Sequence, residues 1–390
     1  MPAGDAIIVT TSNGEGSLAG LLDRPGLASP SPGAGRLDYL DAMRGIAAML
    51  VVFFHFVLAT PPPDFGVAGG AFVTFISDYL DLGRIGVVLF FAISGFIIPN
   101  SLDASSPIAV RKFVLGRFFR LYPLYWFSLL LCLALGPQAS PYVVAANLTM
   151  IQGFLLAPEI NGAAWTLAIE LVFYGLCLCL FLCGRLHQRR SQFLILVASL
   201  CLAVALAVAR FLLVRKLPVA LPLALSVMSF GTLWRGVVLD RDALALRYAR
   251  LALVCFLFGI PMVCVTAYTV DFGFHEWPLP YIVSYGAGLL AFLAGTSWVR
   301  NSPPWLTHLG VISYSVYLLH TPVMMAVNLA GCGPQPNASP LFNWASVFTS
   351  MALVVVASHF SYFYVERPFV TLGRRLTGRP QAASATSSGR

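Results

Sequence analysis

Residues 44–56 read RGIAAMLVVFFHF, an apolar run that begins with an arginine and carries a histidine near its far end. An apolar run of about 20 residues crosses a bilayer as a helix, and such runs recur along this 390-residue chain. We therefore predict an all-α integral membrane protein whose first span contains this run. The ten predicted spans cover roughly residues 42–60, 83–100, 118–136, 164–183, 193–213, 218–234, 249–269, 280–298, 309–330 and 343–364.

The composition excludes a soluble globular protein. The chain is 58% hydrophobic and only 10% charged, whereas soluble domains carry roughly 25% charged residues. Its net charge is +8, but most of the 24 Lys and Arg residues fall on one side when the N-terminus is placed in the cytoplasm. The positive-inside rule then predicts that both termini are cytoplasmic, which requires an even number of spans. The basic charge thus indicates topology and does not predict a nucleic-acid partner.

The chain is predicted to contain one folded domain between two tails. Residues 1–35 are rich in Gly, Ser and Pro, which predicts a disordered cytoplasmic N-terminal segment. Residues 36–370 form the predicted polytopic transmembrane domain, and residues 371–390 form a second disordered cytoplasmic tail. Within a long outer loop, PYVVAANLTMIQGFLLAP (141–158) predicts a re-entrant or surface-lying helix.

The first span carries two ionisable residues, Arg44 and His55. The helical rise of 1.5 Å per residue places them about 16 Å apart, with Arg44 at the inner interface. Arg44 could be a snorkelling anchor and His55 a packed core residue, but ionisable residues inside a membrane favour a functional role. Counting along WTLAIELVFY puts Glu170 at a depth similar to that of His55, and it is the only glutamate inside a predicted span. A carboxylate beside a histidine is typical of a general base; a structural pair, or two unrelated contacts, is the alternative.

Two arginines mark the cytoplasmic start of the third span. Arg117 and Arg120 are three residues apart and so share one helical face. Paired guanidinium groups at an inner membrane surface suit a polyphosphate ligand, because each can bind phosphate oxygens in two places. Positive-inside anchoring explains the pair equally well.

The second span combines small residues with two polar ones. Gly83, Gly86 and Gly95 predict close helix packing, and Ser94 offers a hydroxyl at depth. Arg84, at the outer end, departs from the positive-inside pattern, which indicates either a support for substrate or an anchor to outer headgroups.

The ninth span, ISYSVYLLHTPV, places Tyr317 and His320 three residues apart on one face. A hydrogen-bonded packing pair and a site explain them equally well. The cysteine-rich run 177–183 lacks partner histidines, so no metal site is predicted.

Six stretches resemble, in order, the acyltransferase family 3 of integral-membrane O-acyltransferases. They are LDYLDAMRGIAAMLVVFFHF (37–56), GVVLFFAISGFII (86–98), RFFRLYPLYW (117–126), WTLAIELVFY (165–174), ISYSVYLLHTPV (312–323) and YFYVERP (362–368). The resemblance implies transfer of an acyl group, commonly acetyl, from cytoplasmic acyl-CoA to a hydroxyl acceptor in a bacterial inner membrane. The acceptor would be a glycan, a lipid-linked saccharide or a small molecule. Where the family usually has WSL, this chain has Trp165-Thr166-Leu167, which keeps a hydroxyl.

The resemblance also implies roles for individual residues. His55 would be the essential catalytic residue with Arg44 in support, and Arg117 and Arg120 would lie near the acyl donor. With Glu170 orienting it, His55 would deprotonate the acceptor hydroxyl. The residues expected to support substrate are Arg84, Ser94, Tyr122, Trp165, Tyr174, Tyr317 and His320.

No permanently bound cofactor is expected, since acetyl-CoA would be a substrate. The alternative function is a transporter or flippase that uses the same polar residues as a proton or substrate path.

Overall fold

Long apolar helices make up most of the protein, as described by a computed structural model over residues 37–58, 62–273, 276–299 and 301–378. Within these residues, nine helices are long and apolar enough to cross a membrane, and one bent pair makes a tenth candidate span. The helices are α1 (Asp38–Val57), α2 (Gly66–Phe75), α3 (Leu82–Ile97), α4 (Ala109–Leu135), α5 (Pro141–Leu148), α6 (Trp165–Leu182), α7 (Arg189–Leu213), α8 (Ala220–Val238), α9 (Ala243–Tyr268), α10 (Pro278–Trp298), α11 (Pro304–Val311), α12 (Ser313–Leu329), α13 (Pro340–Ser361) and α14 (Arg367–Leu376). The predicted all-helical membrane protein with about ten spans is therefore confirmed.

Three span boundaries differ from the prediction. α4 begins at Ala109 rather than near residue 118, because its basic first turns continue the helix beyond the apolar run. The ninth span is α11 followed by α12, bent by 66°. The tenth span continues from α13 through a π-helical turn, Tyr362–Glu366, into α14, so it ends at Leu376 rather than near residue 364.

Two short helices lie between the long ones. α2 with the π-helical turn Ile76–Leu80 precedes α3 and was not among the predicted elements. α5 begins the outer loop segment for which a helix was predicted, and Ser140 caps it by accepting a hydrogen bond from the backbone of Val143. The helical part ends at Leu148, and turns form the rest of that segment.

Glycines bring the helix backbones close together, as the second span predicts. A Cβ at Gly95 of α3 would overlap the backbone of Met228 in α8, and one at Gly86 would overlap the carbonyl of Ala47 in α1. Thr232 of α8 donates its hydroxyl to the Gly95 carbonyl at 3.0 Å. Packing of this kind drives helix association in lipid, where neighbouring helices gain little from excluding water. α3 is therefore held tightly between α1 and α8.

Helix α1 packs against α12 and α13. Its buried residues Ala48, Val52 and Phe56 share a core with Val316 of α12 and Val354 of α13. This packing fixes the faces of α1 and α12 that carry His55 and His320.

The predicted tails fall mostly outside the structure. Residues 1–36 and 379–390 lie outside the described residues. Helix α14 continues past residue 370, the predicted end of the transmembrane domain.

Candidate functional site

Two imidazole rings meet between α1 and α12. The ring of His55 stacks on that of His320, with 5.0 Å between centroids and 29° between planes. His320 is only 1% exposed, whereas His55 is an exposed residue. Nδ1 of His320 lies 2.6 Å from the Tyr317 carbonyl oxygen. Because a carbonyl only accepts, Nδ1 carries the proton of a neutral ring. His320 is thus fixed in place, and His55 presents the accessible ring.

Hydroxyl groups continue from the imidazole pair toward α6. The phenol oxygen of Tyr317 lies 2.8 Å from the hydroxyl oxygen of Thr166, and the Tyr317 ring also contacts that of His320, with 5.9 Å between centroids. Thr166 is the residue at the departure from the family's WSL pattern, and its hydroxyl is in use. The pairing of Tyr317 with His320 was one of two alternatives that the sequence left open. The structure adds His55 and Thr166 to that pair.

Asn161 sets the position at which α6 begins. Its buried amide donates to the Leu318 carbonyl of α12 at 3.1 Å, and its side-chain oxygen accepts from the Ala163 backbone at 3.1 Å. The Leu318 carbonyl is available because Pro322, four residues later, has no N–H to offer it. The segment before α6 therefore reaches into the bundle, and Ala163 and Ala164 are buried.

A cluster of charged side chains lies near the N-terminal end of α1. Arg44 forms an ion pair with Asp41 at 3.8 Å, and it lies within electrostatic range of Arg120, Glu170 and Glu366. Arg120 interacts with the same two glutamates. Opposite charges compensate one another, as buried ionic groups require.

Tyrosine and serine side chains complete this charge cluster. Tyr174 donates its hydroxyl to the Glu170 carboxylate at 2.5 Å, and Ser315 donates to Glu366 at 2.9 Å. The guanidinium carbon of Arg117 lies 5.2 Å from the centre of the Tyr174 ring, and its nitrogen donates to Ser101 at 2.8 Å. The structure thus brings Arg44, Arg117, Arg120, Glu170 and Tyr174 into one neighbourhood.

The predicted contact between His55 and Glu170 is wrong. Among the described residues no hydrogen bond or ion pair joins them, and the Glu170 carboxylate is engaged by Tyr174. The depth calculation assumed that α6 begins at the membrane edge. Asn161 instead draws the start of α6 into the bundle, so Glu170 reaches the charge cluster around Arg44.

Sequence reasoning missed Glu366. The prediction that Glu170 is the only glutamate inside a span is wrong, because the tenth span includes Glu366, which is 2% exposed. The glutamate stands in the YFYVERP stretch, where the apolar run was taken to have ended. A buried acid directly after an apolar helix was the signal available.

The other predicted support residues have separate surroundings. Arg84 forms an ion pair with Asp81 at 2.6 Å, and its guanidinium carbon lies 3.2 Å from the Tyr281 ring centre. Tyr122 donates to the Thr149 carbonyl at 3.1 Å. Arg84 and Tyr122 therefore make contacts within the protein, and the headgroup anchor considered for Arg84 does not describe its position.

Ser94 and Trp165 differ from these. Ser94 is half-buried, and its hydroxyl makes no hydrogen bond to another described residue. Trp165 is the first residue of α6 and is 41% exposed. Among the described residues no group of three or more His, Cys, Asp or Glu is placed to hold a metal ion.

Comparison with known proteins gives a family match over most of this chain. Residues 37–360 match the profile of a family described as an acyltransferase domain, Acyl_transf_3. The exopolysaccharide production protein ExoZ of Rhizobium meliloti (strain 1021) is 29% identical over 315 residues, which cover 76% of this chain and 92% of that protein. BcsY of Komagataeibacter xylinus, whose name describes a membrane-bound transacylase, is 27% identical over 359 residues, covering 84% and 81%. No solved structure matches the chain significantly.

Proposed function

We propose, since this chain belongs to acyltransferase family 3, that it moves an acyl group from cytoplasmic acyl-CoA to a hydroxyl of a saccharide. Acetyl is the first candidate for the acyl group. The name of ExoZ, a protein of exopolysaccharide production, supports a glycan as the acceptor. A transferase family also favours this function over a transporter or flippase.

The observation that carries the proposal is the stacking of His55 on His320 of α12, with His55 on the same helix α1 that holds Arg44. His55 takes the proton of the acceptor hydroxyl, whose oxygen attacks the thioester carbonyl of the donor. The carbon–sulfur bond breaks, and the thiolate leaves with the proton that His55 had taken. The products are the acyl ester and free CoA.

His320 takes the positioning role first assigned to Glu170. Its Nδ1–H is directed at the Tyr317 carbonyl, and its ring covers one face of His55. Two positive charges this close repel each other strongly in a medium of low dielectric constant. The pair therefore holds at most one extra proton, which is the proton that the reaction moves through His55.

The charge cluster around Arg44 and Arg120 is the proposed binding site for the acyl donor. Arg117 and Arg120 would bind the phosphates of CoA, with Arg44 beside them, because guanidinium groups pair with phosphate oxygens in two places. Glu170 and Glu366 would hold these arginines in position. Arg44 and His55 are about 16 Å apart along the helix, a distance that the extended arm of CoA can bridge. In this proposal both chain termini and the donor lie in the cytoplasm of a bacterial cell, as the positive-inside rule predicts.

The test compares His55→Ala with the wild type at matched membrane levels in the native host. Mass spectrometry then measures base-labile acyl esters on envelope glycans, lipids and secreted polysaccharide. We expect one class of ester to fall by about 100-fold or more, the contribution of a general base. His359→Ala, at an exposed histidine that contacts His308 and not the proposed site, is the matched control.

Two results would contradict the proposal. Full esterification with His55→Ala would remove His55 from the chemistry. An unchanged ester profile together with a changed distribution of a solute across the membrane would favour transport instead.

A further inference from the structure

The end of α5 is tied to the middle of α4. Three side chains of this helix donate to successive carbonyls at the end of α5: Tyr125 to Asn147 at 2.6 Å, Trp126 to Leu148 at 3.0 Å and Tyr122 to Thr149 at 3.1 Å. These hydrogen bonds fix where the loop that follows α5 begins.

The Asn147 side chain fixes the far end of the same loop. Its amide donates to the Pro158 carbonyl at 2.8 Å, and its oxygen accepts from the Ile160 backbone at 3.1 Å. Asn147 is fully buried. The loop is thereby held at both ends, which is typical of a built surface rather than a passive connection.

Two polar side chains of this loop, Gln152 and Glu159, lie next to each other. Gln152 is fully buried, and neither the nitrogen nor the oxygen of its amide makes a hydrogen bond of normal geometry. Leaving such a group unpaired costs about 1–3 kcal/mol. The half-buried carboxyl of Glu159 lies next to that amide and receives the backbone N–H of Trp165. A carboxylate has about four acceptor positions, so Glu159 keeps capacity for further hydrogen bonds beyond those to Gln152 and Trp165.

This group connects with the imidazole pair. Trp165 precedes Thr166, whose hydroxyl meets that of Tyr317 at 2.8 Å, and Tyr317 contacts the His320 ring. Glu159 lies within electrostatic range of Tyr317. The loop therefore adjoins Tyr317, which contacts the imidazole pair.

We infer that Gln152, Glu159 and Trp165 form the subsite that binds the saccharide acceptor, an inference that rests on the proposed function. The half-buried Glu159 carboxylate accepts hydrogen bonds from the hydroxyls of one sugar ring, and the fully buried Gln152 amide beside it supports that carboxylate from within the loop. An exposed indole offers a flat apolar face to the C–H groups of that ring. Ligand sites commonly combine such an apolar surface with a few placed polar groups.

The pH dependence of binding follows from Glu159. Burial raises the pKa of its carboxyl to about 7, so the carboxylate form gains population between pH 6 and pH 8. The charged group acting on it is Lys216; Tyr125 and Tyr317 also face it and are uncharged in this range. The carboxylate is the stronger acceptor for sugar hydroxyls, so saccharide binding strengthens as the pH rises.

The experiment uses the full chain in lipid nanodiscs. The probe is a mixture of oligosaccharides released from the host's own secreted polysaccharide by mild acid. Binding without donor is measured by calorimetry, and transfer is measured with radiolabelled acetyl-CoA. Glu159→Gln keeps the shape of the side chain, and Asp78→Asn, at an exposed outer acid, is the matched control.

We expect Glu159→Gln to weaken oligosaccharide binding and raise the acceptor KM by about tenfold, the effect of one hydrogen bond to a charged group. The donor KM and kcat should change less than about twofold, and the increase of binding with pH should disappear. A merely structural role for Glu159 would not move the acceptor KM alone.

The outcomes separate this inference from the proposed function. If the wild type transfers acyl groups and Glu159→Gln keeps the same acceptor KM and binding, the subsite is wrong and the function stands. If the wild type binds oligosaccharide through Glu159 but transfers nothing, the function fails and the subsite stands. Absence of both binding and transfer overturns both.

Discussion

Asn161 offers a quantitative test of how the bundle is built. Its amide makes three buried hydrogen bonds: to the Leu318 carbonyl at 3.1 Å, to the Ser128 hydroxyl at 3.3 Å and from the Ala163 backbone at 3.1 Å. Asn161→Ala leaves the carbonyl and the N–H without partners, at about 1–3 kcal/mol each. Ser128 keeps its bond to the Tyr125 carbonyl at 2.8 Å. We expect a loss of about 2–5 kcal/mol in the free energy of unfolding.

Replacing Pro322 tests whether Asn161 bonds to the carbonyl that this proline leaves free. An alanine at this position supplies the N–H that the Leu318 carbonyl lacks. In the Pro322→Ala background, the same Asn161→Ala substitution should therefore cost about 1–2 kcal/mol less. The comparison forms a double-mutant cycle, which isolates the coupling between the two positions.

The assay is unfolding of the purified protein in mixed micelles with a rising fraction of SDS, followed by tryptophan fluorescence. Asn337→Ala, at an exposed loop asparagine, should change the free energy of unfolding by less than about 0.5 kcal/mol. An equal cost for Asn161→Ala in both backgrounds would refute the assignment of the amide to the carbonyl freed by Pro322.

Three further predictions use the same protein. Gly95→Ala forces a Cβ into the α8 backbone and should lower the free energy of unfolding in SDS by about 1–3 kcal/mol. Gly116→Ala is the control: it lies at an open helical position and should raise that free energy by up to about 1 kcal/mol. Glu366→Gln leaves Arg120 without one buried counter-charge and should lower the free energy of unfolding by about 3 kcal/mol. Adding Arg120→Gln should recover part of that loss. Additive losses in the double variant would contradict the pairing. Burial raises the pKa of Glu159 to about 7 from 4.5, so the folded chain holds a proton in this window that the unfolded chain has lost, and stability falls as the pH rises from 4.5 to 7. A melting curve of Glu159→Gln should lack that fall, and an identical pH dependence in both proteins would count against a buried carboxyl.

The spans could be predicted because hydropathy reports them directly. The run 44–56 was placed correctly in the first span, and Gly95 was correctly expected to allow close packing. Both features depend on local composition and on the length that a bilayer requires.

The surroundings of Glu170 could not be predicted by counting residues. The count assumed that a helix begins where the membrane begins, and only the contact of Asn161 with Leu318 shows otherwise. The Asn161 side chain meets the Leu318 backbone carbonyl across 157 positions of sequence. Such a contact depends on tertiary packing, which a single sequence does not display.

Glu366 and the imidazole pair show two further limits. The sequence YFYVERP ends an apolar run with charges, which usually marks an interface, but the π-helical turn Tyr362–Glu366 continues the helix and buries the acid. His55 and His320 were both singled out, yet their contact depends on how α1 packs against α12. The residues were recognisable, and their partners were not.

Helix α1 carries Arg44 and His55 on one unbroken element, and no loop or hinge lies between them. Under the proposed function, α1 fixes the distance between the phosphate-binding end and the catalytic end. A donor must therefore be long enough to span that distance. Acetyl phosphate, whose acyl group lies next to its phosphate, could not engage both ends at once. A short thioester without the nucleotide could reach His55 but would lack the anchor. One residue inserted into α1 between Arg44 and His55 would rotate one end relative to the other by roughly 100°. The helical backbone therefore sets both the spacing and the relative orientation of the two ends.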